Sequence, residues 1–85
     1  MSDTQQQMAK LWARALGIKT VAPEDNFFAL GGHSLLGVKL VAAVQEKLAP
    51  EIELNLSDLL EHPTLADFCA HLDSLNAPGA ETGSI

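Results

Sequence analysis

Apolar residues recur at helical spacing in most of this 85-residue chain. Met8, Leu11, Trp12, Ala15 and Leu16 fall at i, i+3, i+4, i+7 and i+8, the single stripe of an amphipathic helix. Gly17 follows as a stop, so the pattern predicts a first helix over about residues 4–16. Leu36, Leu40, Ala43, Val44 and Leu48 make a second buried stripe, and Pro50 ends it, which predicts a helix from Ser34 to Leu48. Ser57 is placed to cap a short helix running through Glu61. Thr64 is placed to cap a last helix, with Asp67 at its third position and Leu65, Phe68, Cys69, Leu72 and Leu75 as its stripe.

Residues 18–33 break this rhythm. They hold Pro23, Asp25, Asn26 and the pair Gly31-Gly32, and they read as a loop. A loop of this length in so small a domain is usually functional or disordered. Phe27, Phe28 and Leu30 argue for order, as anchors pinning the loop to the core. The whole pattern predicts an all-α, four-helix bundle of three main helices and one short one, with the long loop between the first two. Residues 1–76 read as one domain, and "APGAETGSI", residues 77–85, as a flexible tail or linker.

Composition narrows the function. A formal charge of −6 argues against binding a nucleic-acid backbone. The polar start, Met1 to Gln7, lacks a basic-then-apolar leader pattern, and no apolar run approaches a membrane span. Cys69 is the only cysteine, which excludes an internal disulfide and a cysteine zinc cluster and fits a reducing compartment. The expectation is a cytoplasmic monomer. His62, Cys69 and His71 have no ligand spacing, so no metal site is expected, and His71 reads as part of a solvated face shared with Asp67. Trp12, at helical spacing, reads as core.

The chemistry concentrates in "FFALGGHSLLGVKLV", residues 27–41. Ser34 stands where a helix begins, among unpaired backbone N–H groups and at the positive end of the helix dipole. Three roles compete: a helix cap, a nucleophile, or a point of attachment. Capping does not require Gly31-Gly32, whereas paired glycines let another molecule approach the hydroxyl closely. A helix N-terminus also favours an attached phosphate. For a nucleophile, Gly32-His33-Ser34-Leu35-Leu36 only approaches G-x-S-x-G, and no strand leads into it. His33 is the immediate sequence neighbour of Ser34, and adjacent helical side chains diverge rather than meet. No G-x-x-x-x-G-K-[ST] phosphate loop is present.

"DNFFALGGHSLLGVKLV" resembles the carrier motif of peptidyl carrier proteins, the thiolation domains of nonribosomal peptide synthetases. That pattern reads D-x-F-F-x-L-G-G-[HD]-S-[LI], matched here by Asp25, Phe27, Phe28, Leu30, Gly31, Gly32, His33, Ser34 and Leu35. "LSDLLEHPTLADF", residues 56–68, is similar to the family's third-helix segment, and the likeness covers about residues 5–75. The resemblance implies a non-catalytic carrier. Ser34 would receive 4′-phosphopantetheine from coenzyme A through a phosphopantetheinyl transferase, flanked by Asp25, Gly31, Gly32, His33 and Leu35. The arm's thiol would hold aminoacyl or peptidyl groups as thioesters and pass them between adenylation, condensation and thioesterase or tailoring enzymes.

Charge and exposure refine this. From Ser34 to Leu48 the charges are Lys39, Glu46 and Lys47, a net of +1, unlike the acidic second helix of fatty-acid acyl carriers. Partner docking is therefore expected to be mainly apolar, through Leu35, Val38, Phe28 and Leu59. His33 resembles the residue in carriers that deliver directly to condensation domains. A structural bundle with Ser34 only as a cap, and a small serine acyl-transfer enzyme, are the alternatives.

Overall fold

Four helices follow in order in the computed structural model, which describes residues 3–76: α1 (Asp3–Leu16), α2 (Ser34–Leu48), α3 (Leu56–Glu61) and α4 (Leu65–Asn76). The tail expected over residues 77–85 lies outside the described residues. α1 packs against α2 and α4, and α3 packs against α2. No described helix is long and apolar enough to cross a membrane.

Local chemistry sets the helix ends. α1 stops where Gly17 turns to φ +72° and the Ile18 N–H closes back on the Ala13 carbonyl at 3.0 Å. α4 begins as expected, with the Asp67 N–H donating to Thr64 Oγ1 at 3.2 Å. α3 starts at Leu56, two residues earlier than a Ser57 cap would start it. Asn55 is its N-cap, its N–H donating to the Asp58 carboxylate at 2.9 Å, and Ser57 donates its hydroxyl to Asn55 Oδ1 at 2.6 Å. The sequence contains two suitable capping residues in a row of three, and the earlier one wins.

The core gathers Trp12, Phe27, Phe68, Met8, Leu40, Leu59 and Leu65, all inaccessible to solvent or nearly so. The expected stripes hold in part, with three corrections. On α1 Met8 and Trp12 are buried as expected, but Ala13 joins them while Leu11, Ala15 and Leu16 are only half-buried. On α2 the buried face is Gly37, Leu40, Val41 and Val44, while Leu36, Ala43 and Leu48 are only half-buried. On α4, Leu75 is exposed, near the end of the helix, while Leu65, Phe68, Cys69 and Leu72 are buried.

The long loop belongs to this core. Phe27 is fully buried and meets Trp12 edge-to-face with ring centroids 5.3 Å apart. Phe28 is half-buried and packs edge-on against Phe27 at 5.3 Å. The loop also pairs with the α3–α4 connection. Phe27 N–H donates to the Pro63 carbonyl at 2.8 Å, while Leu65 N–H reaches Asp25 O at 3.1 Å and Ala66 N–H reaches Pro23 O at 2.8 Å. Asn26 and Thr64 form a single antiparallel bridge within this seam. Two side chains set the internal turns: Asp25 accepts from the Ala22 N–H at 2.8 Å, and Asn26 accepts from Phe28 N–H at 2.8 Å.

Gly31 and Gly32 complete the loop, for reasons that differ from those expected. Gly31 has φ +104°, a conformation that side chains disfavour. Gly32 lies against Phe27. A Cβ there would stand 2.5 Å from Phe27 Cδ2 and 2.7 Å from its carbonyl oxygen. The missing side chains thus serve the turn and the phenylalanine, and an approaching molecule is not needed to explain them. Gly32→Ala should lower stability by about 1–3 kcal/mol through overpacking. Urea denaturation followed by circular dichroism measures this, and an unchanged midpoint would show that the loop is not held against Phe27.

Candidate functional site

Ser34 is the first residue of α2, not its cap. His33 occupies the cap position with extended backbone (φ −146°, ψ 178°), and no side chain caps the helix. The earliest N–H to bond back is that of Gly37, to the His33 carbonyl at 2.8 Å. The N–H groups of Ser34, Leu35 and Leu36 therefore have no acceptor among the described residues. The Ser34 hydroxyl is exposed and also makes no hydrogen bond among them. No acidic residue lies in the first turn of α2. The result is an exposed hydroxyl beside three bare donors at the positive end of a 15-residue helix.

This geometry removes the capping role, since a side chain at the first helical position is not the one that bonds the second and third N–H groups. It also supplies no machinery for a nucleophile. His62 stacks on His71 with ring centroids 4.1 Å apart and does not bond the serine. No general base is assembled at Ser34 among the described residues.

Around the serine, Leu35 is 61% exposed and Val38 51%, one turn apart on α2. These are large apolar side chains left in water beside an exposed hydroxyl. Of the other residues expected to meet partners, Phe28 is partly spent on Phe27. Leu59 is a correction: it is completely buried, packed beneath Gly37, where an added Cβ would lie 3.2 Å from its Cδ2. Its neighbour Leu60, 53% exposed, carries the outward apolar surface of α3 instead. Gly31, Gly32 and Asp25 act through the loop, and Asp25 gives its carboxylate to Ala22 rather than to the helix terminus. His33 is exposed and sets the entry into α2 through its backbone.

The histidines beyond the motif make a cluster that spacing alone does not reveal. His71 is not part of a solvated face with Asp67; its Nε2–H donates to Asp58 Oδ1 at 2.8 Å, tying α4 to α3. Asp67 instead lies 3.8 Å from His62 Nδ1. No group of three or more acidic, histidine or cysteine ligands forms a metal site among the described residues. Cys69 is buried, and desolvation followed by the nearby Asp73 charge pushes its thiol up to about 11. At neutral pH it is held as the protonated thiol.

The chain matches the family model described as "phosphopantetheine attachment site" over residues 6–72. It is 44% identical over 64 residues to surfactin synthase subunit 1 of Bacillus subtilis (strain 168), covering 75% of this chain and 2% of that protein. Among solved structures, BlmI, a type-II acyl-carrier protein from Streptomyces verticillus involved in bleomycin biosynthesis, superposes with a TM-score of 0.76 and 34% identity. The match covers 84% of this chain and 83% of BlmI. A chain in the complex of the phosphopantetheine transferase Sfp with coenzyme A and a peptidyl carrier protein gives a TM-score of 0.80 at 28% identity. It covers 87% of this chain and 94% of that one. The chain thus spans about one-fiftieth of the curated synthase and most of each solved chain.

The Asp58 contact has a measurable consequence. Partial burial pushes its carboxyl up, but the Asn55 N–H and the His71 imidazole together outweigh that and hold it below its ordinary value of 3.8. A carboxyl depressed on folding contributes stability that is complete above its unfolded pKa and is lost as pH falls through the folded one. Urea midpoints at descending pH should therefore fall more steeply below pH 3.8 in the wild type than in Asp58→Asn. Equal slopes would show that the Asp58–His71 link contributes nothing.

Proposed function

Because the chain belongs to the phosphopantetheine attachment family, we propose that Ser34 is the residue that carries the group and that the domain works as a peptidyl carrier in nonribosomal peptide synthesis. The observation that supports this reading is the Ser34 hydroxyl itself, exposed, unbonded and set beside three bare N–H groups.

Each local feature then has a task. Ser34 Oγ gives up its proton and forms the ester bond to the pantetheine-side phosphorus of coenzyme A, while the P–O–P bond of the diphosphate breaks and adenosine 3′,5′-bisphosphate leaves. The free N–H groups of Ser34, Leu35 and Leu36 and the α2 dipole favour the negative charge that remains on the phosphodiester. The lack of an acid in the first turn avoids repulsion of that charge. When attached, the arm supplies a flexible thiol for thioester chemistry, which Cys69, buried and protonated, does not supply. The fold provides position and recognition rather than catalysis.

A separate phosphopantetheinyl transferase loads the domain, and an adenylating enzyme charges it, with condensation, thioesterase or tailoring enzymes downstream. Leu35 and Val38 form the apolar surface such enzymes meet beside the serine, and α3 exposes a further apolar side chain, Leu60. Incubation with coenzyme A and a broad-specificity transferase should add one phosphopantetheinyl group to the wild type, read by intact mass. Ser34→Ala should gain none while keeping its helical circular dichroism. Loading of Ser34→Ala, or none of the folded, initially unmodified wild type, would overturn the assignment.

A further inference from the structure

The chain carries eleven acidic residues against five lysines and arginines, yet three of the five converge on one groove. Lys10 and Arg14 of α1 stand one turn apart on the same helical face, and Lys47 comes from the last turn of α2. With Gln7, Leu11 and Leu48 they line a shallow groove of about 320 Å³. All three cationic side chains are exposed, and none forms an ion pair among the described residues. The only acid on α1 is Asp3 and the only acid on α2 is Glu46.

Helix-end electrostatics account for part of this. Arg14 and Lys47 both lie in last turns, where a cation complements the helix dipole. That accounts neither for Lys10 nor for the meeting of two helices' cations around two leucines. In a protein of net charge −6, concentrating positive charge at an apolar-lined groove creates a local field opposite to the rest of the molecule. The occupant that satisfies both features presents carboxylates and aliphatic side chains together.

We propose that this groove docks an acidic, amphipathic peptide segment of a partner protein, glutamates or aspartates meeting Lys10, Arg14 and Lys47 while a leucine-like residue seats against Leu11 and Leu48. Lys47 lies thirteen residues along α2 from Ser34, about 20 Å at the helical rise, so a segment held here leaves the serine uncovered. The groove acts as a tether: it holds the domain near a partner while the other end of α2 stays open to visiting enzymes. The geometry stands whether or not Ser34 is the loaded residue.

The test is a titration of the ¹⁵N-labelled protein with two blocked twelve-residue peptides, one of glutamates with leucines at helical spacing and one of glutamates alone. The mixed peptide should shift amides of residues 7–14 and 44–48 and bind more tightly than the all-glutamate one. The triple variant K10Q/R14Q/K47Q should weaken it by about tenfold, as expected for three solvent-exposed ion pairs. The same variant should be loaded at Ser34 as the wild type is, which separates failure of this proposal from failure of the carrier reading. Shifts mapping elsewhere, unchanged binding by the variant, or equal binding of the two peptides would overturn it. So would concentration-dependent shifts at these residues without peptide, which would assign the groove to a second copy of the chain.

Discussion

Phe27 is the side chain on which the rest of the arrangement depends. It sits in a loop, yet it joins four parts of the chain. Its ring meets Trp12 of α1 and lies beneath Gly32 and close to Gly37 of α2, and its N–H reaches Pro63 between α3 and α4. Fully burying a phenylalanine contributes about 1.5–3 kcal/mol, a sizeable share of what a domain this small has available. The ring also forces the backbone around it. Gly32 has to be a glycine because the ring occupies the space of its side chain, and Gly32 N–H closes on the Phe27 carbonyl at 3.0 Å. Two residues later the chain enters α2. The position of Ser34 is therefore dictated by the core rather than by an independent loop conformation.

That constraint explains why the serine is left bare. A conventional cap would satisfy the first N–H groups of α2 and make the helix start more stable, by about 1 kcal/mol. Here the cap position goes to His33, whose side chain does not cap, and the first turn contains no acid. Stability is supplied instead by Phe27 and the loop seam, which leaves the helix terminus free to expose a hydroxyl and three unbonded N–H groups. The same division holds on the surface. Apolar side chains that could have packed stay in water, Leu35 and Val38 on the first turns of α2 and Leu60 on α3, while Leu59 and Leu56 fill the contact between α3 and α2.

Much of this was legible in the sequence. The helix ends follow from Gly17, Pro50 and Thr64, residues whose local chemistry allows few alternatives, and the anchoring of the loop follows from aromatic residues among polar ones. The misreadings have physical causes. α3 is six residues long, under two turns, so periodicity does not decide between Leu59 and Leu60 as its buried face. Asn55 and Ser57 both have capping side chains, and only the packed structure decides between them. The bond of His71 to Asp58 joins two helices, and no spacing within one helix predicts it. Glycine in a sequence shows that a side chain is missing but not what fills the space: Gly32 accommodates an internal ring where an external visitor was expected.

The central claim is that the loop before Ser34 is part of the core. Amide hydrogen exchange on the unmodified protein tests it most directly. The N–H groups of Phe27 and Gly32 lie in a loop by secondary structure, yet the account predicts that they exchange as slowly as the buried amides of α2 near Leu40 and Val44, through global unfolding. Exchange of these two amides through local opening, orders of magnitude faster than those helix amides, would contradict it: the serine would then be presented by a mobile loop rather than held in place by the core.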